Sequence, residues 1–390
     1  MILNKVGYGY EDLTIVPHKL TRVKSRSECD PYTIRDTLPI FASPMASVVS
    51  DKNYNSFIEN GIIPIIPRNI DFEKRVKLME NGLWVALSLD EFSNLFCDFE
   101  SSRYNAVDYY PDFRICIDIA NGHMVQLYEK ILMARQCELE RPYNLVIMAG
   151  NMASPETYET LCEQNIRTMI EYHVKLVDYI RTSIGSGQGC TTSSNVGVHY
   201  PPGTLIDECR KIADKYEKYR PLIVADGGIK GYRYVNIALA LGADYVMIGG
   251  LFGQTLESAG EKVVYIFDES PEDCPSNSLT EYEDLYCDFN TGDWYGTYKG
   301  VEVKLGKIDS KFFGMASADG QKSISGNKTK TAEGVTKYLP VKYRLDKWAE
   351  NMVWFIRSAM SYCDSFYLEE FIGKQTLIPN SQSAVNAVNK

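Results

Sequence analysis

The sequence predicts an α/β fold of the (β/α)8 TIM-barrel type, formed by a single domain. Three observations predict it: short apolar runs recur eight times, helical patterns separate many of them, and several runs end in polar or glycine residues. The expected strands are 38–45, 62–67, 84–89, 114–119, 145–150, 179–184, 221–227 and 245–250.

Polar and glycine residues at the ends of these runs indicate where the functional site lies, because a buried strand rarely ends in such residues. A glycine pair alone is typical of a tight turn. Three glycine-rich ends on consecutive strands favour a phosphate site built from backbone N–H groups. The segments are Ser43-Pro44-Met45, Asp118, Gly150-Asn151, the turn 184–190, Asp226-Gly227-Gly228 and Gly249-Gly250.

Helices are predicted most clearly after the fifth strand and near the end of the chain. Ser154 is suited to cap a helix that has Pro155 at its first position. A second helical pattern covers 345–371, and its packing face is expected to carry Trp348, Met352, Phe355, Ile356, Met360 and Cys363. The barrel domain is expected to span 1–374, followed by a polar and poorly ordered tail at 375–390.

Two segments after the eighth strand do not fit the barrel pattern. Residues 268–298 contain many acidic and tyrosine residues and no lysine or arginine, which predicts a surface insertion, either a solvated acidic loop or a contact with a partner. Residues 316–334 are rich in Ser, Gly, Lys and Thr and predict a mobile flap.

Composition excludes several classes of protein. A net charge of −10 argues against a nucleic-acid-binding protein. No apolar run approaches membrane-spanning length, and the first residues lack the organisation of a signal peptide, so we expect a cytoplasmic protein without membrane contact. The ten cysteines and four histidines show no metal-ligand spacing, and the cysteines are expected to be reduced thiols.

Cys190 is the candidate nucleophile. Most cysteines in soluble proteins are small buried hydrophobes, but this one follows Gly185-Ser186-Gly187-Gln188-Gly189 and precedes two threonines. Glycines let the backbone approach a ligand closely, and a thiol held there can attack it. A core cysteine needs neither feature.

Taken together, these motifs resemble those of the IMP dehydrogenase/GMP reductase family over most of the chain, apart from the acidic insertion and the last residues. The matching segments are Tyr10-Glu11-Asp12-Leu13, residues 25–30, Ser43-Pro44-Met45, residues 116–122, Ala149-Gly150-Asn151, the Cys190 turn, Asp226-Gly227-Gly228-Ile229 and Gly314-Met315.

Within that family, the chain is more similar to the reductases. Dehydrogenases usually carry a pair of regulatory modules after the second strand, whereas here Arg68 leads through one short helix to Trp84. Glu333 stands where the reductases have a catalytic glutamate and the dehydrogenases a glutamine. Residues 120–122 and the pair Gly249-Gly250 are also similar to the reductases.

The resemblance implies reductive deamination of GMP to IMP and ammonia with NADPH, through a covalent bond between Cys190 and C2 of the purine. Thr192 and Glu333 would handle the proton that ammonia needs to leave. The implied substrate contacts are Ser43, Met45, Gln188, Asp226, Gly227, Gly228, Gly249, Gly250, Gly314, Met315 and Lys330.

The resemblance also implies a cofactor site, a cation site and a homotetramer. The carbonyls of Gly185, Gly187 and Cys190 would hold K⁺. Ser25 and Arg26 would reach the cofactor phosphate across a subunit boundary. The remaining cofactor contacts implied are Arg68, Asp118, Ile119, Ala120, Asn151, Ile184 and Gly185.

Three departures from the family pattern concern the substrate. Gln188 replaces a serine that contacts phosphate, Lys330 replaces an arginine, and Ala332 replaces a serine. Two other functions therefore stay open: an IMP dehydrogenase without regulatory modules, which would convert IMP to XMP with NAD, and a nucleotide-binding barrel without catalysis.

Overall fold

The computed structural model describes residues 6–97, 111–141, 143–265, 279–288, 290–326 and 331–388. Fifteen strands are described within these ranges. They are β1 (Leu13–Ile15), β2 (Ile40–Ala42), β3 (Ile63–Ile66), β4 (Trp84–Leu87), β5 (Asp112–Ile117), β6 (Asn144–Met152), β7 (Tyr179–Thr182), β8 (Leu222–Asp226), β9 (Tyr245–Ile248), β10 (Lys262–Tyr265), β11 (Glu283–Cys287), β12 (Trp294–Tyr298), β13 (Val301–Phe313), β14 (Thr336–Pro340) and β15 (Leu377–Pro379).

Twelve α-helices accompany these strands in the same described ranges. They are α1 (Tyr54–Glu59), α2 (Phe72–Glu80), α3 (Leu89–Phe96), α4 (Val125–Glu138), α5 (Pro155–Tyr172), α6 (Thr192–Val196), α7 (Pro202–Tyr216), α8 (Tyr232–Leu241), α9 (Ala318–Ser325), α10 (Leu345–Tyr362), α11 (Leu368–Phe371) and α12 (Gln382–Val388).

Strands β2 to β9 form a closed barrel of parallel strands. Each strand pairs with its neighbours in chain order, and β2 closes the ring against β9, with Phe41 opposite Met247. All eight strands lie within or close to the predicted runs, because those runs carry the continuous apolar character of strands buried on both faces. The (β/α)8 fold is therefore confirmed.

The interior of the barrel is filled by side chains rather than left as a pore. Phe41, Trp84 and Tyr179 pack edge to face, with ring centroids 5.5 Å apart for Phe41 and Trp84 and 5.3 Å apart for Trp84 and Tyr179. Cys116 and Met247 belong to the same buried cluster. Such packing fixes the strand ends relative to one another, which is what a site built across several strands requires.

The helix after the fifth barrel strand begins as the sequence predicts. The Ser154 hydroxyl accepts a hydrogen bond from the backbone N–H of Thr157, and Pro155 occupies the first turn of α5. The prediction of one helical segment over 345–371 is less accurate, because α10 ends at Tyr362 and a separate helix, α11, begins at Leu368. Phe355 is also 45% exposed, whereas the neighbouring Ile356 is buried.

The acidic insertion differs from the expected solvated loop where it is described. Strands β11 and β12 form an antiparallel sheet with β13, and β10 and β14 pair with the other end of β13. Trp294 is fully buried in this sheet's own core, and its Nε1 donates to the Val341 carbonyl over 2.9 Å. Along β12, Trp294 and Gly296 are buried whereas Tyr295 and Thr297 are only half-buried, so one face of this strand packs more closely than the other. Residues 266–278 and 289 lie outside the described ranges.

The two ends of the chain pair with each other. Strand β15 runs antiparallel to β1, with Leu13 opposite Pro379. The backbone N–H of Asn380 extends this pairing by donating to the Asp12 carbonyl over 2.7 Å. The expectation of a poorly ordered tail at 375–390 was therefore wrong for residues 375–388, since a strand and α12 form there. The backbone pairing with β1 explains the difference.

Candidate active site

Predicted site residues from four barrel strands converge at the carboxyl ends of those strands. Ser43 follows β2, Asp118 follows β5, Asn151 lies near the end of β6, and Asp226 ends β8. This end of a parallel barrel is where loops from different strands meet. Any ligand bound there would contact residues that are far apart in the chain.

A chain of hydrogen bonds links Cys190, Thr192 and Glu333. The Cys190 thiol lies 3.3 Å from Thr192 Oγ1, to which it donates. The Thr192 hydroxyl donates to Glu333 Oε2 over 2.8 Å. The backbone N–H of Thr191 donates to the Glu333 carbonyl over 3.0 Å, so main chain and side chain both hold the glutamate beside the thiol. The flap segment thereby completes the arrangement begun by the Cys190 turn.

Glycines allow three backbone segments to meet behind the thiol. A Cβ at Gly189 would lie 3.0 Å from the backbone nitrogen of Gly314, and a Cβ at Gly334 would lie 2.7 Å from the Gly189 carbonyl oxygen. The separation at Gly334 is shorter than real side chains show, and the one at Gly189 is tighter than most of them. Glycine at 189 and 334 therefore lets the Cys190 turn, the end of β13 and the end of the flap come into direct contact.

Cys116 provides a contrast with Cys190. It lies inside the barrel, and burial raises the pKa of its thiol to about 12, so this cysteine stays protonated at neutral pH. Cys190 is only partly buried and lies at the mouth, where a ligand can reach it. Position therefore separates the candidate nucleophile from a cysteine that only packs.

Arg181 is a central site residue that the sequence reasoning assigned no role. It lies in β7 with its side chain 7% exposed, between two carboxylates. Its Nη1 donates to Asp118 Oδ1 over 2.8 Å, and its Nη2 and Nε donate to Asp226 Oδ2 over 2.9 and 3.1 Å. A signal was present in the sequence, since an arginine inside a buried strand needs partners to be stable there.

Asn151 joins the same network. Its Nδ2 donates to Asp226 Oδ2 over 2.8 Å and to the Ser183 carbonyl over 3.1 Å. All the hydrogen bonds described for the Asp226 side chain are accepted by Oδ2. Its Oδ1 is therefore the oxygen available to a ligand. The backbone of Asn151 also pairs with the Ile119 carbonyl and with the N–H of Gly122. Asp118, Ile119, Asn151 and Asp226 thus form one connected part of the site.

The glycine cradle, formed by Gly227, Gly228, Gly249 and Gly250, lies against the Cys190 turn. Gly227 has a φ of +92°, and a Cβ there would lie 3.0 Å from the Gly187 nitrogen. A Cβ at Gly250 would collide with the Oε1 atom of Gln188. Gln188 therefore occupies space that an ordinary residue at 250 would fill. The predicted substrate residues Gln188 and Gly250 are in direct contact.

The segment around Met315 contacts the loop after β2. The backbone N–H of Ala46 lies 3.4 Å from the Met315 sulfur, and the Ser47 hydroxyl donates to the Phe313 carbonyl over 3.1 Å. Met45 lies beside Gly249, where an added Cβ would be 2.7 Å from the Met45 sulfur. These contacts place Met45 and Met315 on the same side of the mouth.

The predicted cofactor residues divide into two groups. Arg68 Nη1 donates to the Asp118 carbonyl over 3.3 Å, so Arg68 belongs to the mouth. Arg26 instead stacks on Trp354 of α10, 4.9 Å from the ring centroid, and donates to the Ser358 hydroxyl over 3.1 Å. Within one subunit, Ser25 and Arg26 do not join the site. Their contact across a subunit boundary stays a prediction.

The carbonyls predicted to hold K⁺ are partly engaged. The Gly185 carbonyl accepts from the Ser193 hydroxyl over 2.9 Å, and the Gly187 carbonyl accepts from the Cys190 N–H over 3.0 Å. Each oxygen retains a second lone pair. Within the described ranges, no group of three or more His, Cys, Asp or Glu side chains is arranged to hold a metal ion. Lys330 lies outside the described residues.

Comparison with known proteins decides the family. A family model described as the IMP dehydrogenase / GMP reductase domain matches residues 100–270. A GMP reductase of Staphylococcus carnosus (strain TM300) is 32% identical over 266 residues, which cover 66% of this chain and 74% of that protein. The chain belongs to the IMP dehydrogenase / GMP reductase family.

Other members of the IMP dehydrogenase / GMP reductase family align over nearly the whole chain. A GMP reductase of Shewanella halifaxensis (strain HAW-EB4) is 26% identical over 98% of this chain and 97% of its own length. One of Vibrio atlanticus (strain LGP32) is 26% identical over 100% of this chain and 99% of its own length. The chain is thus an oxidoreductase of this family, which implies a nicotinamide cofactor. No described helix has both the length and the hydropathy to cross a membrane.

Proposed function

We propose that this protein is a GMP reductase, which converts GMP to IMP and ammonia with NADPH. The observation that carries the proposal is the hydrogen-bonded chain from the Cys190 thiol through Thr192 to Glu333. A nucleophile, a hydroxyl relay and a carboxylate within hydrogen-bond reach of one another are what nucleophilic substitution with proton transfer requires. The GMP reductases that align over the full chain support the same reaction.

In this proposal, Cys190 as thiolate adds to C2 of the purine and forms a carbon–sulfur bond. The bond from C2 to the exocyclic nitrogen breaks, and that nitrogen leaves as ammonia after gaining a proton. Glu333 and Thr192 move this proton, since the Thr192 hydroxyl lies between the carboxylate and the thiol. The nicotinamide cofactor, when bound, supplies the hydride that reduces C2. Loss of the thiolate then releases IMP.

The geometry of the mouth supports several of the proposed substrate contacts. Asp226 would accept hydrogen bonds from the ribose diol through Oδ1, because Arg181 and Asn151 occupy Oδ2. Backbone N–H groups of the glycine cradle would hold the 5′-phosphate. Gln188 would contact that phosphate with its amide, where many relatives have a serine. Ser43, Met45, Gly314, Met315 and Lys330 complete the proposed contacts.

Unpaired polar atoms at the mouth fit a nicotinamide cofactor. The Arg68 Nε and the Ser183 hydroxyl are buried and have no hydrogen-bond partner among the described residues. Such groups are costly to leave unpaired, so they fit a bound polar ligand. Residues on this side would hold the cofactor: Arg68, Asp118, Ile119, Ala120, Asn151, Ile184 and Gly185, with Ser25 and Arg26 from a neighbouring subunit of the proposed tetramer. Gly185, Gly187 and Cys190 would offer carbonyl oxygens, which K⁺ prefers.

The test is a loss of NADPH absorbance when GMP is added to purified protein in K⁺ buffer. Cys190→Ala is the control and should abolish the loss while the protein stays folded. Loss of absorbance that depends on Cys190, with release of IMP, supports the proposal. No loss with GMP contradicts it. Formation of NADH from IMP and NAD⁺ would instead favour the dehydrogenase alternative.

A further inference from the structure

A cavity of about 330 Å³ adjoins the glycine cradle. We call it the lysine cavity. Gln188 is the one proposed GMP contact that also lines this cavity. Its lining includes Gln188, Lys230, Gly231, Gln254, Lys342 and Tyr343.

The lysine cavity begins where the cradle ends. Lys230 follows Gly228 by two positions, and Gln254 Nε2 donates to the Gly250 carbonyl over 3.3 Å. The Gln188 side chain touches Gly250 and also lines the cavity. A group bound in the cradle would therefore have the cavity as its nearest neighbouring space.

The charge at the cavity is positive although the chain carries a net charge of −10. Lys230 and Lys342 line it, and a third lysine, Lys337, donates to the Gln188 carbonyl over 3.3 Å. Glu11 lies 3.6 Å from Lys230, but this pair is exposed and contributes little. Two lysines that line one cavity beside a phosphate cradle, with a third bonded to a residue of the same lining, favour a further anionic group.

The size and construction of the cavity suit a phosphate. At roughly 30 Å³ for each water molecule, it has room for about ten waters, which exceeds what one phosphoryl group needs. The backbone N–H of Lys342 donates to the Gln254 carbonyl over 2.9 Å, which fixes the segment after β14 against the loop after β9. The cavity is therefore formed by connected segments.

We propose that the lysine cavity binds the second phosphate of a purine nucleoside 5′-diphosphate, so that this enzyme takes GDP as well as GMP. The cradle holds the first phosphate, and Lys230 and Lys342 hold the second through charge-assisted hydrogen bonds. Gln188 lies between the two positions and contacts both. The inference rests on the proposed function, since it extends the same substrate site.

Calorimetric titration of the full chain with GMP and with GDP, in the absence of cofactor, tests the inference. We expect GDP to bind about tenfold more tightly than GMP, because one or two charge-assisted hydrogen bonds are gained. The double variant K230Q/K342Q should remove this advantage while changing GMP binding less than about threefold. Lys211→Gln is the matched control, because Lys211 pairs with Asp207 on the outer helix α7, and both affinities should stay unchanged.

Binding of GDP that is no tighter than that of GMP overturns the inference. An equal loss of GMP and GDP binding in K230Q/K342Q also overturns it, because the lysines would then serve the first phosphate. Turnover of GMP and of GDP with NADPH is measured separately: tighter GDP binding with no turnover of either nucleotide leaves the phosphate-binding role of the cavity intact and contradicts the reductase proposal, whereas turnover of GMP alone contradicts the use of GDP as a substrate. Binding of neither nucleotide contradicts both.

Discussion

Thr192 donates its hydroxyl to Glu333 over 2.8 Å, although the two residues are 141 positions apart in the chain. The flap brings the glutamate to the Cys190 turn, and the backbone N–H of Val335 donates to the Gly189 carbonyl over 3.0 Å to hold it there. The carboxylate is thus positioned by two backbone contacts as well as by the threonine. This geometry suits a proton relay in which the Glu333 carboxylate carries the proton.

Glu333→Gln should lower kcat with GMP by about 100- to 1000-fold while KM changes less than about threefold. The amide keeps the size of the side chain and accepts a hydrogen bond from Thr192, but it cannot carry the proton that ammonia needs. The decay of NADPH absorbance measures both constants. Glu163→Gln, at an exposed position of α5, is the matched control. Unchanged kcat in Glu333→Gln would remove the carboxylate from the relay.

Arg181→Met should destabilise the protein by about 3–5 kcal/mol, because Asp118 and Asp226 would be left without their shared cation. Both carboxylates are less than one-fifth exposed, so solvent cannot replace the guanidinium. Urea unfolding measures the free energy. The control is Arg22→Met, which breaks a pair whose arginine is 73% exposed and should cost less than about 1 kcal/mol. Equal losses in the two variants would show that the buried pair is not structurally important.

The barrel was predictable from the sequence because its signal is local. A strand buried on both faces must be apolar along its whole length, so each of the eight runs is visible by itself. The helix start at Ser154 was predictable for the same reason, since its cap is formed by a residue three positions away.

The other features depend on contacts between distant residues. The sequence shows Arg181 in a strand, but its two partners come from β5 and β8, which meet it only when the barrel closes. The sheet around Trp294 could not be predicted from the acidic segment alone, because its core forms only when Tyr282 and Trp294 meet apolar residues of β13. The order of the tail was missed because it depends on pairing with β1 at the opposite end of the chain.

Ser183→Gly should stabilise the protein by about 1 kcal/mol. Ser183 has a φ of +85°, a region that glycine adopts without strain, and its hydroxyl has no partner among the described residues. The matched control is Ser183→Ala, which also removes the hydroxyl but keeps the side-chain Cβ and so the strain. Urea unfolding should therefore show a gain for glycine and a smaller one, or none, for alanine. Equal gains would assign the effect to the unpaired hydroxyl instead.

Lys262 should make stability rise with pH between about 8 and 10.5. Burial lowers the pKa of its ammonium from 10.5 to about 8, although the Ser258 and Gly260 carbonyls accept hydrogen bonds from it over 2.7 and 2.8 Å. In this window the unfolded chain binds the proton that the folded protein has lost, so ∂ΔG/∂pH of unfolding is positive for this group.

Lys262→Met removes this titration. As the pH rises from 7.5 to 9.5, the free energy of unfolding of the native protein should therefore increase by about 1–2 kcal/mol relative to that of Lys262→Met. This change does not depend on which of the two proteins is more stable at pH 7.5. Urea unfolding at several pH values measures the difference. Lys347→Met is the control, because Lys347 is exposed at the start of α10 and should leave the slope nearly unchanged below pH 9.5. Parallel curves for the native protein and Lys262→Met would show that the buried ammonium keeps its proton throughout.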